Sequence, residues 1–283
     1  MKIKISADST CDLSPALIQR YHIGITPLYV IRDGQSLVDG VTITPDDIYA
    51  HVAAGGSMCS TAAVSVYDYT RFFSQQLEDC DAVVHFHISS DMSACCQNAR
   101  IAAAELGNVY PVDSRSLSTG IGLLVLEAAE LAQQEGMTPQ QLVQIIESRR
   151  QQVDVSFVVE QLDYLRKGGR CSGAAALGAN LLSLRPCIQV KDGAMLVGKK
   201  YRGAYQKCLL QYVKERLEGH GDIDTRRILI THSGGFSDEE LAQVEAAVLA
   251  CQPFAEVLHC RAGSTISCHC GPRTLGIIYA HRG

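Results

Sequence analysis

The sequence predicts an α/β fold of two α/β domains, the first of which contains a mostly parallel sheet flanked by helices. Apolar strand-like runs alternate with helical segments through the first part of the 283 residues, which is the order of parallel βαβ units. Past residue 150, strand-like runs become shorter and glycines more frequent. We therefore predict an N-terminal domain at residues 1–150 and a C-terminal domain at residues 151–283, called the first and second halves below.

Strands of the first half are predicted where apolar runs stop at polar turns. They are residues 3–7, 25–31, 82–88 and 109–112. The run AVVHFHI at 82–88 is almost continuously apolar, as expected for a strand buried on both faces of a parallel sheet. Helices are predicted after N-cap residues or an N1 proline and along apolar periodicities. They start at Ser14-Pro15 and Thr44-Pro45, follow the turn at 89–91 as far as Leu106, and cover residues 117–135 and 139–152.

The second half is predicted to combine short strands, a hairpin and helices. Strands are expected at residues 155–159, 227–231, 255–259 and 275–281. A hairpin is expected at 188–200, because Lys191-Asp192-Gly193 is a typical turn sequence. Helices are expected at 163–167 and 204–217, after Ser237, and in the Ala- and Leu-rich segment 174–184 between basic residues.

Composition and charge exclude several classes of protein. With a net charge of −5, no Trp and 6% aromatic residues, the chain does not match the basic, stacking surfaces of nucleic-acid binders. The N-terminus MKIKISADST is too polar for a signal peptide, and no run approaches the roughly 18 apolar residues of a membrane span. We expect a soluble, cytoplasmic protein with at most transient membrane contact. Its 12 cysteines are expected to be reduced thiols, many of them buried.

A serine-rich turn joins the strand at 82–88 to the helix that follows it. Ser89, Ser90 and Ser93 lie at this junction. Ligands of parallel α/β sheets bind at the carboxyl ends of strands, and helix N-termini bind phosphates and carboxylates. The turn therefore predicts an anion site, with simple helix capping as the alternative.

A second group of candidates surrounds His269. Since Gly271-Pro272 follows, we expect His269 in a turn rather than in a core helix. The flanking Cys268 and Cys270 suggest a metal site, but consecutive side chains point apart and zinc ligand pairs have other spacings, so no metal is predicted. Neither a phosphate-binding P-loop nor a dinucleotide-binding glycine motif occurs, and no cofactor is predicted.

Short motifs with polar and glycine residues follow one another along nearly the whole chain. They are Asp8-Ser9, Ser60-Thr61, His87-Ile88-Ser89-Ser90 with Ser93, Val112-Asp113-Ser114, YLRKGGR at 164–170, Arg185-Pro186, Tyr201-Arg202-Gly203, and His269 with Gly271-Pro272. In this order they resemble the motifs of the DegV family, and within it the FakB-type fatty-acid-binding subunits of bacterial fatty acid kinase. The chain departs from the family pattern after Thr61, after Ser93 and at Arg273, but it retains Thr61, Ser93 and His269 themselves.

The resemblance implies a long-chain fatty acid bound between the two domains, its acyl chain in an apolar tunnel for which the 174–184 helix is the candidate wall. The fatty acid carboxylate would be held by Thr61, Ser93 and His269. Secondary contacts with the ligand would come from Ser60, Ser89, Ser90 and Cys270. Contact with a fatty acid kinase subunit, which would phosphorylate the bound acid, would involve Arg202 and Arg170. The chain itself would not be catalytic.

A serine hydrolase acting on a lipid ester is the alternative function. Ser93 at a strand-to-helix turn and His269 have the residue types of a nucleophile and its base. However, the chain lacks a G-x-S-x-G motif, and no third residue is clearly placed to orient the histidine. We therefore expect lipid binding rather than lipid hydrolysis.

Overall fold

The computed structural model describes residues 1–171, 173 and 184–283. The strands are β1 (Ile3–Asp8), β2 (Gly24–Thr26), β3 (Tyr29–Arg32), β4 (Gln35–Val38), β5 (Ser60–Ala62), β6 (Ala82–His87), β7 (Val109–Asp113), β8 (Val153–Val158), β9 (Leu184–Lys191), β10 (Ala194–Arg202), β11 (Ile223–His232), β12 (Glu256–Arg261) and β13 (Leu275–His281). The helices are α1 (Pro15–Arg20), α2 (Pro45–Ala53), α3 (Val66–Leu77), α4 (Cys95–Leu106), α5 (Thr119–Leu131), α6 (Pro139–Arg149), α7 (Leu162–Gly168), α8 (Tyr205–Leu217), α9 (Asp238–Cys251) and α10 (Ser264–Cys270).

A four-stranded sheet in the first half has the order β2-β1-β6-β7, and all of its pairings are parallel. Every residue of β6 is buried, as its apolar sequence predicts. Helices α3 to α6 pack against this sheet. The predicted α/β class, with a parallel sheet flanked by helices, is confirmed. Because parallel strands end at the same edge, the turns after Asp8, His87 and Asp113 lie close together.

One predicted strand is wrong, because residues 25–31 contribute to two strands in different sheets. β2 pairs with β1, whereas β3 pairs antiparallel with β4 and β5 in a three-stranded sheet. Pro27 lies between β2 and β3, and it has no N–H with which to continue a strand ladder. In the three-stranded sheet Val30 lies opposite Thr61. This small sheet therefore fixes the backbone position of one candidate site residue.

The second half is built on a six-stranded sheet with the order β10-β9-β8-β13-β11-β12. Its pairings are antiparallel except the one between β11 and β12. The predicted hairpin is confirmed, since β9 and β10 are joined by Asp192 and Gly193, whose φ values of 50° and 84° fit a two-residue hairpin turn. The predicted helix at 174–184 lies outside the described residues, except that Leu184 begins β9.

Two apolar clusters form most of the core. The larger takes fully buried side chains from both halves, among them Phe86 and Leu124 from the first and Ile188 and Leu229 from the second. The smaller cluster combines side chains of α8 and α9 with those of the six-stranded sheet. Since the larger cluster crosses residue 150, the division into two domains there stays a prediction. Within the described ranges, no helix is long and apolar enough to cross a membrane.

Candidate ligand-binding site

A cavity of about 250 Å³, called the central cavity below, is lined by residues of both halves. Most of its wall is apolar, and the larger apolar side chains include Leu28, Ile88, Met92, Leu117, Phe157, Leu165, Met195 and Ile266. Its polar lining residues are Thr61, Ser93, Arg170, Thr265 and His269. An apolar cavity with a few converging polar groups is the usual form of a small-molecule site.

Thr61 and His269 form a direct hydrogen bond at the wall of the central cavity. Thr61 Oγ1 lies 2.8 Å from His269 Nε2, although the two residues are 208 positions apart in the chain. Burial, with the nearby positive charge of Arg170, lowers the pKa of the His269 imidazole to about 4. The ring is therefore neutral at pH 7, so one of its nitrogens is a donor and the other an acceptor.

His269 lies in a helix, so the expectation that it sits in a turn is wrong. It is the penultimate residue of α10, whose C-cap is Gly271 with a φ of 72°. The Gly-Pro turn begins only after the helix has ended. As part of α10, His269 shares one helix face with Thr265, four residues earlier, and both residues line the central cavity.

Helix α10 is anchored by residues of both halves. At its N-terminal end, Asp12 accepts a hydrogen bond from the backbone N–H of Gly263 (2.8 Å), and Asp39 accepts one from that of Ser264 (2.8 Å). Both aspartates belong to the first half and are buried. At the other end, the Thr274 hydroxyl donates to the carbonyl of Cys270 (2.8 Å). The position of His269 relative to Thr61 thus depends on contacts from both halves.

Ser93 lines the central cavity from the turn that precedes α4. Its hydroxyl donates to Cys95 Sγ (3.2 Å) and accepts from the backbone N–H of Cys95 (3.3 Å). The N-cap residue of α4, Ala94, provides no side-chain cap. The hydroxyl therefore lies at the N-terminal end of α4. Because a thiol sulfur is a weak acceptor, the Ser93 hydroxyl can donate instead to a stronger acceptor such as a carboxylate.

Three of the four secondary candidates lie outside the wall of the central cavity. Ser60 is exposed on β5, the buried Ser89 donates to the Gly193 carbonyl (2.7 Å), and Ser90 donates to Asp113 (2.6 Å). The fourth, Cys270, lines the cavity next to His269. Burial raises the pKa of the Cys270 thiol to about 12, so this group is protonated and weakly polar at pH 7.

The two candidate arginines occupy different environments. Arg170 lines both the central cavity and an outer groove of about 860 Å³, and it donates to the Gly168 carbonyl (2.8 Å). Met92, Ser93 and Ala94 also line both spaces, so the cavity and the groove adjoin at the start of α4. Arg202 is an exposed residue at the end of β10 and lines neither space.

The hydrogen bonds of the cavity differ from those of a hydrolase. Within the described part of the chain, Ser93 bonds to Cys95 and His269 bonds to Thr61, and no hydrogen bond joins Ser93 to His269. A serine nucleophile needs such a bond to its base. The same described residues contain no cluster of three His, Cys, Asp or Glu side chains suited to a metal ion.

Several lining residues were not predicted from the sequence. Phe157 and Met195 are ordinary apolar residues of the second half, and nothing in their local pattern marks them. Thr265 and Ile266 carry a usable pattern, because together with His269 and Cys270 they have the spacing of one helix face. Recognising α10 as a helix would have found them.

Replacing Gly168 with alanine is expected to break the bond between Thr61 and His269. A Cβ atom on Gly168 would lie 2.5 Å from His269 Nδ1. Because non-bonded heavy atoms settle at about 3.5 Å, the ring has to shift by about 1 Å, and a 2.8 Å hydrogen bond does not survive such a shift. Alanine otherwise favours a helix over glycine, so α7 itself is not weakened. The imidazole resonances of His269 should move in an NMR spectrum.

The matched control is Gly221→Ala, because a Cβ atom there meets nothing within 4 Å. This variant should leave the His269 resonances in place. If the His269 resonances of Gly168→Ala were also unchanged, the expectation that a Cβ atom at residue 168 displaces the imidazole ring would be wrong.

The whole chain is similar to known proteins. A family model described as "uncharacterised protein, DegV family" matches residues 2–282. A DegV domain-containing protein of Deinococcus radiodurans is 34% identical over 280 residues, covering 98% of both chains. A Thermotoga maritima protein named fatty acid-binding protein is 30% identical over 286 residues, covering 98% of this chain and 96% of its own. The solved structure of a Thermus thermophilus DegV family protein, described by its fatty acid binding, has a TM-score of 0.88 at 33% identity and covers 99% of this chain and 100% of its own.

Proposed function

This chain belongs to the DegV family, and from that premise we propose that it binds a long-chain fatty acid in the central cavity. The observation that carries the proposal is the Thr61–His269 pair at the wall of an otherwise largely apolar cavity. The proposal is supported by the similar proteins of Thermotoga maritima and Thermus thermophilus, both of which are described by their fatty acid binding. In this proposal the cavity lies at the interface of two α/β domains.

The fatty acid carboxylate is proposed to contact Thr61, Ser93 and His269. A buried carboxylate needs hydrogen-bond donors, because without them it loses its charge or does not bind. Two hydroxyls and a neutral imidazole carry three donor hydrogens, and because one of them lies in the Thr61–His269 bond, two can be donated to the carboxylate. Bonds to a charged acceptor are about twice as strong as bonds between neutral groups. The donors therefore suit a fatty acid in its ionised form.

The acyl chain is proposed to supply most of the affinity through the apolar wall. At about 0.8 kcal/mol for each buried methylene, some 14 methylenes contribute roughly 11 kcal/mol before costs. Lost translational, rotational and chain freedom subtracts several kcal/mol from that sum. The remainder is enough for a ligand that stays bound through purification.

The chain is proposed to bind lipid without hydrolysing it. The described residues pair Ser93 with Cys95 and His269 with Thr61, which favours a set of donors for an anion over a nucleophile with its base. A fluorophosphonate probe tests this distinction. We expect no labelling of Ser93 and no turnover of an acyl ester, whereas labelling together with turnover would favour the hydrolase.

We further propose that the bound acid is presented to a fatty acid kinase subunit for acyl-phosphate formation. The adjoining outer groove supports this, because Ser93 and Arg170 line both the cavity and the groove. A phosphate donor held by the partner would reach the carboxylate from that side. Arg202, exposed and away from the cavity, is proposed to contact the partner rather than the lipid.

The variant Arg202→Ala is therefore expected to keep its affinity for fatty acid and to lose at least about tenfold in acyl-phosphate formation with a kinase subunit, the effect of one lost charge-assisted hydrogen bond. Lys200→Ala, at an exposed neighbouring position of β10, is the control and should retain both properties. Equal loss of lipid binding and turnover in Arg202→Ala would contradict the assigned role.

Native mass spectrometry of the purified protein, followed by denaturing lipid extraction, tests the proposed function. We expect a copurified fatty acid at about one molecule per chain, or uptake of one added molecule by a stripped sample. A mass equal to that of the bare chain, with no uptake of added fatty acid, would overturn the proposal.

A further inference from the structure

Thr265 has a buried hydroxyl group with no hydrogen-bond partner among the described residues. Its Oγ1 atom makes no hydrogen bond, and the residue is only 3% exposed. A threonine in a helix commonly donates to the carbonyl four residues earlier, but Thr265 makes no such bond. Buried hydroxyls without partners are rare and lower stability, so each one needs an explanation.

The unpaired hydroxyl belongs to a residue that lines the central cavity. The other two hydroxyls that line the cavity have partners, since Thr61 bonds to His269 and Ser93 bonds to Cys95, whereas His269 has a second ring nitrogen, Nδ1, that is buried without a partner among the described residues. Among the hydroxyl groups that line the cavity within the described ranges, only that of Thr265 therefore has no protein partner. A ligand oxygen that reaches this hydroxyl can bond to it without breaking an existing hydrogen bond of Oγ1.

The position of Thr265 relative to His269 is fixed by α10. The backbone N–H of Thr265 donates to the buried Asp39 carboxylate (3.3 Å), which holds the residue in the first turn. His269 follows four residues later on the same helix face, about 6 Å further along the axis. A ligand whose carboxylate contacts His269 therefore has its oxygen atoms, or its first several carbon atoms, near the Thr265 hydroxyl.

We propose that Thr265 is a fourth polar contact of the bound acid, with its hydroxyl hydrogen-bonded to an oxygen atom of the ligand. This inference rests on the proposed function and adds a recognition element to it. The oxygen belongs either to the carboxylate or to a hydroxyl substituent on the acyl chain near the carboxylate. In both cases the chemistry is the same, a hydrogen bond between a buried hydroxyl and a ligand oxygen.

The variant Thr265→Val tests the inference, because valine has the shape of threonine without its hydroxyl. In the ligand-free protein it should be at least as stable as the wild type, since it removes an unpaired polar group. Affinities are measured by calorimetry for palmitic, 2-hydroxypalmitic and 3-hydroxypalmitic acids. A loss of about tenfold for all three acids identifies the carboxylate as the partner, and a loss confined to a hydroxylated acid identifies the substituent.

Two further variants serve as controls. Thr265→Ser keeps a hydroxyl and should retain the wild-type affinities, and Thr26→Val alters a buried threonine that does not line the cavity. Thr265→Val binding all three acids as tightly as the wild type, or more tightly, would overturn the inference while leaving the proposed function intact. Failure of the wild type itself to bind any of the acids would instead count against the proposed function.

Discussion

Replacing Arg149 with alanine is expected to lower the free energy of unfolding by about 3–5 kcal/mol, the usual cost of breaking a buried ion pair by removing one partner. Arg149 at the end of α6 lies 3.0 Å from Glu127 of α5 and 2.5 Å from Asp224 of β11. The side chains of Arg149, Glu127 and Asp224 are only 15%, 10% and 14% exposed. Without the guanidinium, the carboxylates of Glu127 and Asp224 each lose an ion-pair partner, although both remain mostly shielded from water.

The pH dependence of this network follows from Asp224. Burial acts against its ionised form, but hydrogen bonds from Arg226 and Arg149 outweigh it and hold the pKa of Asp224 well below its ordinary value. A carboxylate with a lowered pKa stabilises the folded state above its unfolded pKa of about 3.9, and this contribution is lost as the pH falls further. The difference between wild type and Arg149→Ala should therefore be full at pH 7 and shrink below about pH 4.

Urea unfolding of the two proteins at pH 7 measures the effect. The control is Arg71→Ala, because Arg71 is 72% exposed and its pair with Asp68 is long, at 3.7 Å. An exposed pair of this kind is worth about 0–1 kcal/mol. A loss in Arg149→Ala no larger than that in Arg71→Ala would show that the network contributes little to stability.

The elements that the sequence predicts well have strong local patterns. The apolar run at 82–88 corresponds to β6, and the proline-marked starts at Ser14 and Thr44 correspond to α1 and α2, each with its N-cap hydrogen bond. In these segments propensity, capping and burial all favour the same structure. The split of residues 25–31 into β2 and β3 has no such pattern, because it depends on which strands are available as partners in space.

The candidate site was predictable only in part from local sequence. Ser93 lies at a strand-to-helix turn, which by itself indicates an anion site. Thr61 and His269 are 208 residues apart, so no spacing rule joins them, and only the family resemblance did so. The unpaired Thr265 hydroxyl was not predictable at all, because whether a hydroxyl has a partner depends on the packing around it.

Removing the His269 side chain is expected to weaken fatty acid binding by about 10- to 150-fold, the range that corresponds to one lost hydrogen bond of about 1.5–3 kcal/mol to a charged group. His269→Ala takes away a ring nitrogen proposed to contact the carboxylate. It also leaves Thr61 Oγ1 without its partner at 2.8 Å. Because the pKa of His269 is about 4 in the free protein, the loss at pH 7 is that of a neutral donor and not that of a positive charge.

Thr61→Val is expected to weaken binding for a related reason, and the two effects should not add. The Thr61 hydroxyl is proposed to contact the ligand and is hydrogen-bonded to the His269 ring, so the single variants both disturb the same hydrogen-bonded unit. The double variant should therefore bind the acid more tightly than the product of the two single losses implies. Calorimetric titration of the four proteins with palmitic acid measures this coupling, with Ser60→Ala as a control on the same strand that should bind as the wild type does.

Simple additivity of Thr61→Val and His269→Ala would mean that the two side chains act on the ligand independently. That outcome would contradict the role of the 2.8 Å bond between them in holding the imidazole toward the acid. If the carboxylate site is one preorganised unit built by both halves of the chain, the losses of affinity in the two single variants must be non-additive.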